Sequence, residues 1–466
     1  MSAVCLGTPQ AAPPVPGRAA PPVSWPALAL VVVAFVALAG AYSVAIPAYE
    51  TNDEPWHYAY VRVLALGRGL PVQHPGDARY VPGEGHQPPL YYLLAAPLLK
   101  LSGLAPFEVV AVENPDLRRR PNRYLHPVPG EHFPYADAVR GLHLVRLLSV
   151  ALGALAVVFI YLAAREALPA YPHAALPVAA LAATIPQVLF VHAGVTNDAL
   201  ATLVGSGLFW SLLRLLRSGP QIQHAISAGV WFGLGLLTKQ SFLALVPAVL
   251  LALLWAPGSL CRRLRALLVV AGLAALIAGW WYVRNALLYG DPLATALQRE
   301  MGGAGMYPRS LADPYFVTDF PLVTFFSFFA VFGWLSLYVW LPVYLFYALV
   351  VAYAAAGLVY LWLRPLPALP IDPPARRALA LSAGFIALLY AGLLYYNLTF
   401  MQPQGRLLFP ALGAAALLIV AGWQRLLAPW PAGQRRVLLA LPLANVAIAF
   451  AVLIWKVLPA YATTHG

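Results

Sequence analysis

Charge is what this chain has least of. Only 10% of its 466 residues are Asp, Glu, Lys or Arg, against about 25% in an average soluble domain. Cysteine is nearly absent too. Cys5 and Cys261 are the only two, without metal-ligand or redox spacing, which excludes a disulfide-stapled scaffold and a cysteine zinc site. Lysine is confined to Lys100, Lys239 and Lys456 among 29 basic residues, an arginine bias typical of a GC-rich bacterial genome. The chain has no phosphate-binding Gly-rich loop, zinc-protease motif or Gly-x-Ser-x-Gly elbow, so nucleotide-driven and serine-hydrolase chemistry lack support. No inverted or direct repeat points to a transporter built from two halves.

What is present is apolar: 61% of the residues. Trp25 to Pro47 carries no charge and exceeds the roughly 20 residues that cross a bilayer. Further spans are expected near 141–164, 174–192, 197–216, 225–241, 242–257, 266–286, 335–363, 378–397, 407–427 and 437–457. The fold class is therefore all-α, a polytopic transmembrane helical protein of about eleven spans. A disordered cytoplasmic tail is expected at 1–24, a membrane domain at 25–457 and a short extracytoplasmic tail at 458–466. The Ala- and Pro-rich start lacks a convincing cleavage site, so the first span is expected to stay as an anchor.

Orientation follows from arginine. With the N-terminus inside, the cytoplasmic turns carry clusters such as Arg262-Arg263-Arg265, Arg376-Arg377 and Arg435-Arg436, faced by only two acids, Glu166 and Asp372. The positive-inside rule favours this orientation in a bacterial plasma membrane. The net charge of +12 is thus a topology signal and not a nucleic-acid footprint. Two extracytoplasmic loops, 48–140 and 287–320, are too long to be connectors. The first has helical texture over 53–70 and an apolar stretch at 89–104, too short to span and expected to lie at the interface. Residues 113–133, with Arg118-Arg119-Arg120, read as an exposed loop. The span charges Arg146, Asp198, Lys239, Arg284, Arg406 and Lys456 all fall near extracytoplasmic ends, and none at the midplane where a coupled transporter keeps its relay.

The candidate chemistry begins at Thr51-Asn52-Asp53-Glu54-Pro55-Trp56-His57. If Asp53 opens a helix, His57 shares its face, with Glu54, Tyr58 and Arg62 on the neighbouring stripe. A carboxylate there suits a general base toward a hydroxyl or amine acceptor. Thr51 and Glu54 also have capping-box spacing, which needs no function. His86-Gln87, ahead of Pro88-Pro89-Leu90-Tyr91-Tyr92, suits a sugar or phosphate as well as it suits interfacial anchoring. Asn197 and Asp198 are either caps or ligands. Lys239, Arg284 and Arg406 at one level fit a phosphate leaving group or, more blandly, snorkelling to lipid headgroups. His57, His74 and His86 have no regular metal-ligand spacing.

Taken in order, these motifs resemble the GT-C superfamily. They are Asp53-Glu54, His86 to Tyr92, Thr196-Asn197-Asp198, Gly235-Leu236-Leu237-Thr238-Lys239, Trp281-Tyr282-Val283-Arg284-Asn285, Tyr289-Gly290-Asp291-Pro292, Ser327 to Trp334 and Gln404-Gly405-Arg406-Leu407-Leu408-Phe409-Pro410. The chain is similar, over about residues 25 to 457, to a bacterial branch of predicted multi-pass membrane proteins. The resemblance implies a GT-C-like glycosyltransferase that takes its sugar from a polyprenyl-phosphate donor on the extracytoplasmic side. In the protein mannosyltransferases and lipid A aminoarabinose transferases of this superfamily, an acidic pair in the first outer loop includes the catalytic carboxylate. Carried over, Asp53 becomes the base and Glu54 its partner, while Lys239, Arg284 and Arg406 would hold the lipid phosphate. His57, Arg62, His86, Gln87 and Asn197 complete the expected substrate contacts. Asp198 matches a second acidic position, a metal ligand where a member uses one, so a divalent cation is left open and no other cofactor is expected. The expected acceptor is a glycan, lipid or protein, and the reaction inverting. No soluble peptide-binding module is expected after the last span. A lipid-linked sugar flippase and a non-catalytic scaffold of polysaccharide assembly are the rival readings.

Overall fold

The computed structural model describes residues 24–115, 123–301, 308–363 and 372–462. The expected N-terminal tail, apart from Ser24, and the Arg118-Arg119-Arg120 run lie outside them. The chain enters through α1 (Trp25–Ala45), and its first loop holds α2 (Glu54–Ala65) and α3 (Leu90–Leu101). Next come α4 (Asp137–Ala167), α5 (Ala175–Thr184), α6 (Pro186–His192), α7 (Asn197–Ser218), α8 (Ile222–Leu236), α9 (Val246–Trp255) and α10 (Leu260–Tyr289). The second loop carries α11 (Thr295–Met301) and leads to α12 (Asp319–Phe329). A small antiparallel hairpin, β1 (Val331–Phe332) with β2 (Leu337–Tyr338), precedes α13 (Leu341–Leu363) and α14 (Pro373–Asn397). Then α15 (Leu412–Leu426), α16 (Pro431–Val452) and α17 (Leu458–Tyr461) end the described chain, so helix continues into the expected tail.

Among the described residues, eight helices are long and apolar enough to cross a membrane, or nine if α5 and α6, bent by 63°, count as one span. The bend has a local cause: Pro186 lacks an N–H and Ile185 before it is extended (φ −62°, ψ 124°). The two remaining expected spans, 225–241 and 242–257, fall on shorter pieces. α8 has 15 residues, roughly 22 Å of rise against a hydrocarbon core of about 30 Å. Helix gives out over Leu237 to Lys239, where Lys239 is extended (φ −156°, ψ 134°). That break, read in the sequence as a bare junction between two spans, places Lys239 beside the site.

This is a multi-pass membrane protein. Its outward faces are apolar, with Leu30, Leu276 and Leu349 each at least 70% exposed, the pattern expected where lipid is the solvent. α7 is the most buried span and packs against α4 and α8. Small residues permit the tightest crossing. A Cβ at Gly357 on α13 would lie 2.0 Å from the Gly422 carbonyl oxygen on α15, so only glycine lets these backbones meet.

The first loop is fastened over one end of the bundle. The rings of Tyr60 on α2 and Tyr92 on α3 stack at 3.8 Å between centroids. Tyr91 Oη lies 2.8 Å from Ser149 Oγ on α4, and Leu90 N–H donates to the Leu237 carbonyl at 3.0 Å. The start of α3 is thereby pinned to the break that precedes Lys239.

Candidate active site

The acidic pair divides at its peptide bond. Glu54 turns inward, fully buried, and receives Arg146 Nε and Nη2 at 2.7 and 2.6 Å on its two oxygens. The backbone N–H groups of Tyr49 and Val195 donate to the same carboxylate, each at 2.9 Å. Arg146 spends its other donors on the carbonyls of Ser43, Ile46 and Pro47, at 2.7–2.9 Å. The expected capping box does not form, because the Glu54 side chain is spent on Arg146, and Thr51 Oγ1 has no partner among the described residues.

Asp53 turns the other way. Its backbone is left-handed (φ 62°, ψ 3°) and its side chain makes no capping bond. Asp and Asn are among the few side chains that tolerate this region. Its Oδ2 pairs with Arg406 Nη2. Arg406 Nη1 reaches Asp198 Oδ2 at 2.7 Å, and Asp198 Oδ1 pairs with Lys239. The result is a chain of alternating charge, Asp53–Arg406–Asp198–Lys239. Local structure explains it. Thr196 Oγ1 caps α7 by accepting the Asp198 N–H at 3.2 Å, which frees the Asp198 carboxylate for the cations. Gly405 N–H donates to Ser327 Oγ at 2.8 Å, fixing the turn that presents Arg406, and Gln404 Oε1 holds Arg406 Nε at 2.6 Å.

The loop before α3 supplies a third wall. Gly83 sits at φ +65°, and a Cβ there would come within 2.9 Å of the Trp56 ring on α2. Glycine allows the turn and the contact together, and the next residue, Glu84, stands over the first turn of α2. One donor atom each from Asp53, His57 and Glu84 lies within 4.8 Å of the others. These are the described residues that could hold a metal ion; His74 instead packs edge-on to Tyr289. Burial pushes the Glu84 carboxyl up to about 8, with Asp53 adding to the rise. Burial lowers His57 to about 3 and His86 to about 4, so both imidazoles are neutral at physiological pH. His57 Nδ1 lies 2.8 Å from Tyr92 Oη.

Asp53, His57, Glu84, His86, Gln87, Asn197, Lys239 and Arg406 line one cavity of about 590 Å³, a size that takes a small ligand. Arg299 of α11 and Gln298, which donates to Tyr396 Oη at 2.8 Å, reach it from the second loop. A second crevice of about 490 Å³ runs between α8, α9 and α10. Its walls, among them Phe232, Val249, Val270 and Ala278, are apolar, and it shares Leu243 and Leu293 with the polar cavity.

Four expected site residues, Glu54, Arg62, Arg284 and Asp198, do not line the cavity. Glu54 is enclosed with Arg146. Arg62 pairs with the exposed Glu108 at 3.1 Å. Arg284 donates to the Pro71 carbonyl at 2.6 Å and lies over the Trp281 ring, fastening the loop to α10. Asp198 stands behind the wall and touches it through its cations. Glu84 and Arg299 were not anticipated. The only sequence signal for Glu84 was an acid between two glycines, two residues before His86-Gln87; Arg299 had none.

Residues 140–282 match the family profile described as dolichyl-phosphate-mannose-protein mannosyltransferase. The matched stretch runs from α4 into α10 and contains Asp198 and Lys239. The structure is similar to that of ArnT from Cupriavidus metallidurans, with a TM-score of 0.52 and 15% identity over 94% of this chain and 74% of ArnT. The fold is GT-C. The apo form of ArnT aligns comparably, with a TM-score of 0.51 and 13% identity over 93% of this chain and 73% of ArnT. The Saccharomyces cerevisiae Pmt1–Pmt2 O-mannosyltransferase complex aligns over 56% of this chain and 34% of its own, with 16% identity and a TM-score of 0.39. No curated protein matches the chain in sequence.

Proposed function

We propose that this chain is a glycosyltransferase that moves a sugar from a polyprenyl-phosphate donor to an extracytoplasmic acceptor, with inversion. One observation carries the reading: a polar cavity that gathers Asp53 and Glu84 with Lys239, Arg406 and Arg299 shares Leu243 and Leu293 with a neighbouring apolar crevice. A lipid-borne phosphosugar has that polarity, an apolar tail joined to an anionic head. ArnT was solved bound to undecaprenyl phosphate, and the shared fold supports a lipid of this class here.

In this reading the acceptor hydroxyl or amine stands by Asp53, whose Oδ2 is held by Arg406 while Oδ1 has no partner among the described residues. Asp53 takes the acceptor proton as the acceptor attacks the anomeric carbon. The bond from that carbon to the phosphate oxygen breaks, and the leaving phosphate gathers negative charge beside Lys239, Arg406 and Arg299. Fixed cations stabilise such charge without reorganising as it develops. Attack opposite the leaving group inverts the centre. Glu54 does not react and instead holds the Asp53 turn in place through Arg146. The arginine bias of the opposite membrane face supports an inside N-terminus and a cavity on the extracytoplasmic side of a bacterial plasma membrane.

The test is sugar release from radiolabelled polyprenyl-phosphate donors by purified protein, wild type against Asp53→Asn. Loss of turnover with donor binding retained supports the reading. Donor bound but never turned over across an acceptor panel returns the flippase or the scaffold. Equal turnover in both proteins keeps the enzyme and removes Asp53 from its centre.

A further inference from the structure

A chain held against its own conformational preference needs contacts that hold it. Of the four non-glycine residues with positive φ among the described residues, three meet at one place. Tyr49 (φ 67°) and Asp53 (φ 62°) bound the turn between α1 and α2, and Leu335 (φ 59°) follows Trp334. Asp tolerates the left-handed region, whereas a bulky side chain such as Tyr49 is a genuine outlier there. Such conformations persist only where the surroundings over-determine them, and they gather at functional sites.

The turn is gripped on both of its flanks. The Tyr49 N–H donates to the enclosed Glu54 at 2.9 Å, and the Tyr49 carbonyl accepts the Trp334 indole N–H at 3.1 Å. The same indole meets Trp56, on the first turn of α2, edge-on at 5.5 Å between centroids. One side chain thus touches the backbone before Asp53 and a ring after it. It is itself steadied by stacking on Tyr124 at 4.2 Å. Trp334 stands at the tip of the β1–β2 hairpin, whose base is anchored in the bundle. The Val331 N–H donates to Gln187 Oε1 of α6 at 2.7 Å, and Phe332 packs edge-on to Phe190 at 5.2 Å. Tyr344 Oη of α13 donates to the Ala330 carbonyl at 2.6 Å. The indole N–H is the one polar group of Trp334, and it goes to a backbone carbonyl. Trp334 is not among the residues that line the cavity.

We propose that Trp334 is a positioning residue for Asp53: through the Tyr49 carbonyl and the Trp56 ring it holds the left-handed turn that aims the carboxylate into the cavity. The inference rests on Asp53 as the base of the proposed transfer. Without the brace, Tyr49 is free to relax toward negative φ and to carry the turn with it. A displacement of about 1 Å at a reacting group costs on the order of 10²-fold in rate. The run from Ser327 to Trp334, which brings no side chain to the cavity, thereby acquires a role.

The experiment uses the full chain in detergent and compares wild type with Trp334→Phe, which keeps an aromatic ring and removes the donor. The kcat for sugar transfer should fall about 10- to 100-fold with the donor KM within about threefold, because no group lining the cavity is altered. In an Asp53→Asn background the same substitution should cost less than about twofold more, since a residue acting only through Asp53 has nothing left to position. Hydrogen exchange, read by mass spectrometry without any donor, should quicken over residues 48–57. It should stay as in wild type over α7, which shows the fold intact. Trp340→Phe, at a 37% exposed position just past the same hairpin, should change none of these. Wild-type kcat in Trp334→Phe, a loss confined to KM, an undiminished further loss in Asp53→Asn, or unchanged exchange at the turn overturns the proposal. Quickened exchange over 48–57 in a protein whose wild type turns over no donor keeps the brace and removes the transferase.

Discussion

Asp53 and Glu54 are adjacent carboxylates with opposite fates. Glu54 is enclosed with Arg146 and every hydrogen-bonding direction is used. Asp53 pairs through one oxygen to a cation that is itself shared with Asp198. The first arrangement is closed and ties α1, α2 and α4 together; the second stands at the edge of a cavity with an oxygen to spare. Charge type and sequence position do not separate the two. The left-handed turn at Asp53 does, because it points consecutive side chains to opposite sides of the loop. A buried pair already satisfied has nothing left to offer a substrate, whereas an incompletely satisfied one can bind or react.

The contrast can be broken at either carboxylate. Glu54→Gln should have the largest effect, about 3–5 kcal/mol of lost stability, since it strands the Arg146 charge in the interior. Thermal unfolding in detergent measures it, and Glu54→Leu with Arg146→Met should recover most of the loss. A Glu54→Gln protein as stable as wild type but inactive would reverse the assignment. Asp53→Asn keeps a residue that tolerates the left-handed turn. It should lose about 10²- to 10⁴-fold in turnover with an unfolding temperature close to wild type.

Glu50, a few residues upstream, sharpens the comparison through pH. It is 1% exposed and accepts the N–H groups of Tyr124 and Leu125 at 3.1 and 3.0 Å. Burial raises its carboxyl from 4.5 to about 7. The folded state therefore binds the proton more tightly than the unfolded chain does. The stabilising contribution is complete below about pH 4.5, declines as pH rises, and is gone above about pH 7, on the order of 3 kcal/mol in all. Glu50→Gln stays neutral throughout. The stability difference between wild type and Glu50→Gln should shift against wild type between those limits and be flat above pH 7.

Much of this was legible in the sequence because lipid imposes strong constraints. Long apolar runs marked the long spans, and Asp53, Asn197, Lys239 and Arg406 at outer span ends, with His86-Gln87 ahead of an interfacial stretch, are the residues that meet in one cavity. Other features depend on three-dimensional packing that no local pattern encodes. The junction of 225–241 with 242–257 shows a short polar run, Thr238 to Ser241, but not that helix stops at Leu237, whose carbonyl is taken by the Leu90 N–H at the start of α3. Glu84 joins the site because Gly83 lets its loop fold onto Trp56. Arg284 reads like Lys239, a basic residue at a span end, yet its guanidinium is drawn to the Pro71 carbonyl.

That last distinction, between a cation in the cavity and a cation beside it, yields the smallest expected effects. Lys239 lines the cavity, so Lys239→Met should raise the donor KM by about 10- to 100-fold, the worth of a hydrogen bond to a charged group. Arg62 was expected on the same helix stripe as Glu54, but its partner Glu108 is 66% exposed, and a solvated pair of this kind contributes about 0–1 kcal/mol. Arg62→Gln should therefore leave turnover within about twofold of wild type, with any change confined to unfolding temperature. If Arg62→Gln raised the donor KM as far as Lys239→Met, the substrate path would have to run over the outer face of α2, and the cavity between Asp53 and Lys239 would lose its claim to the donor.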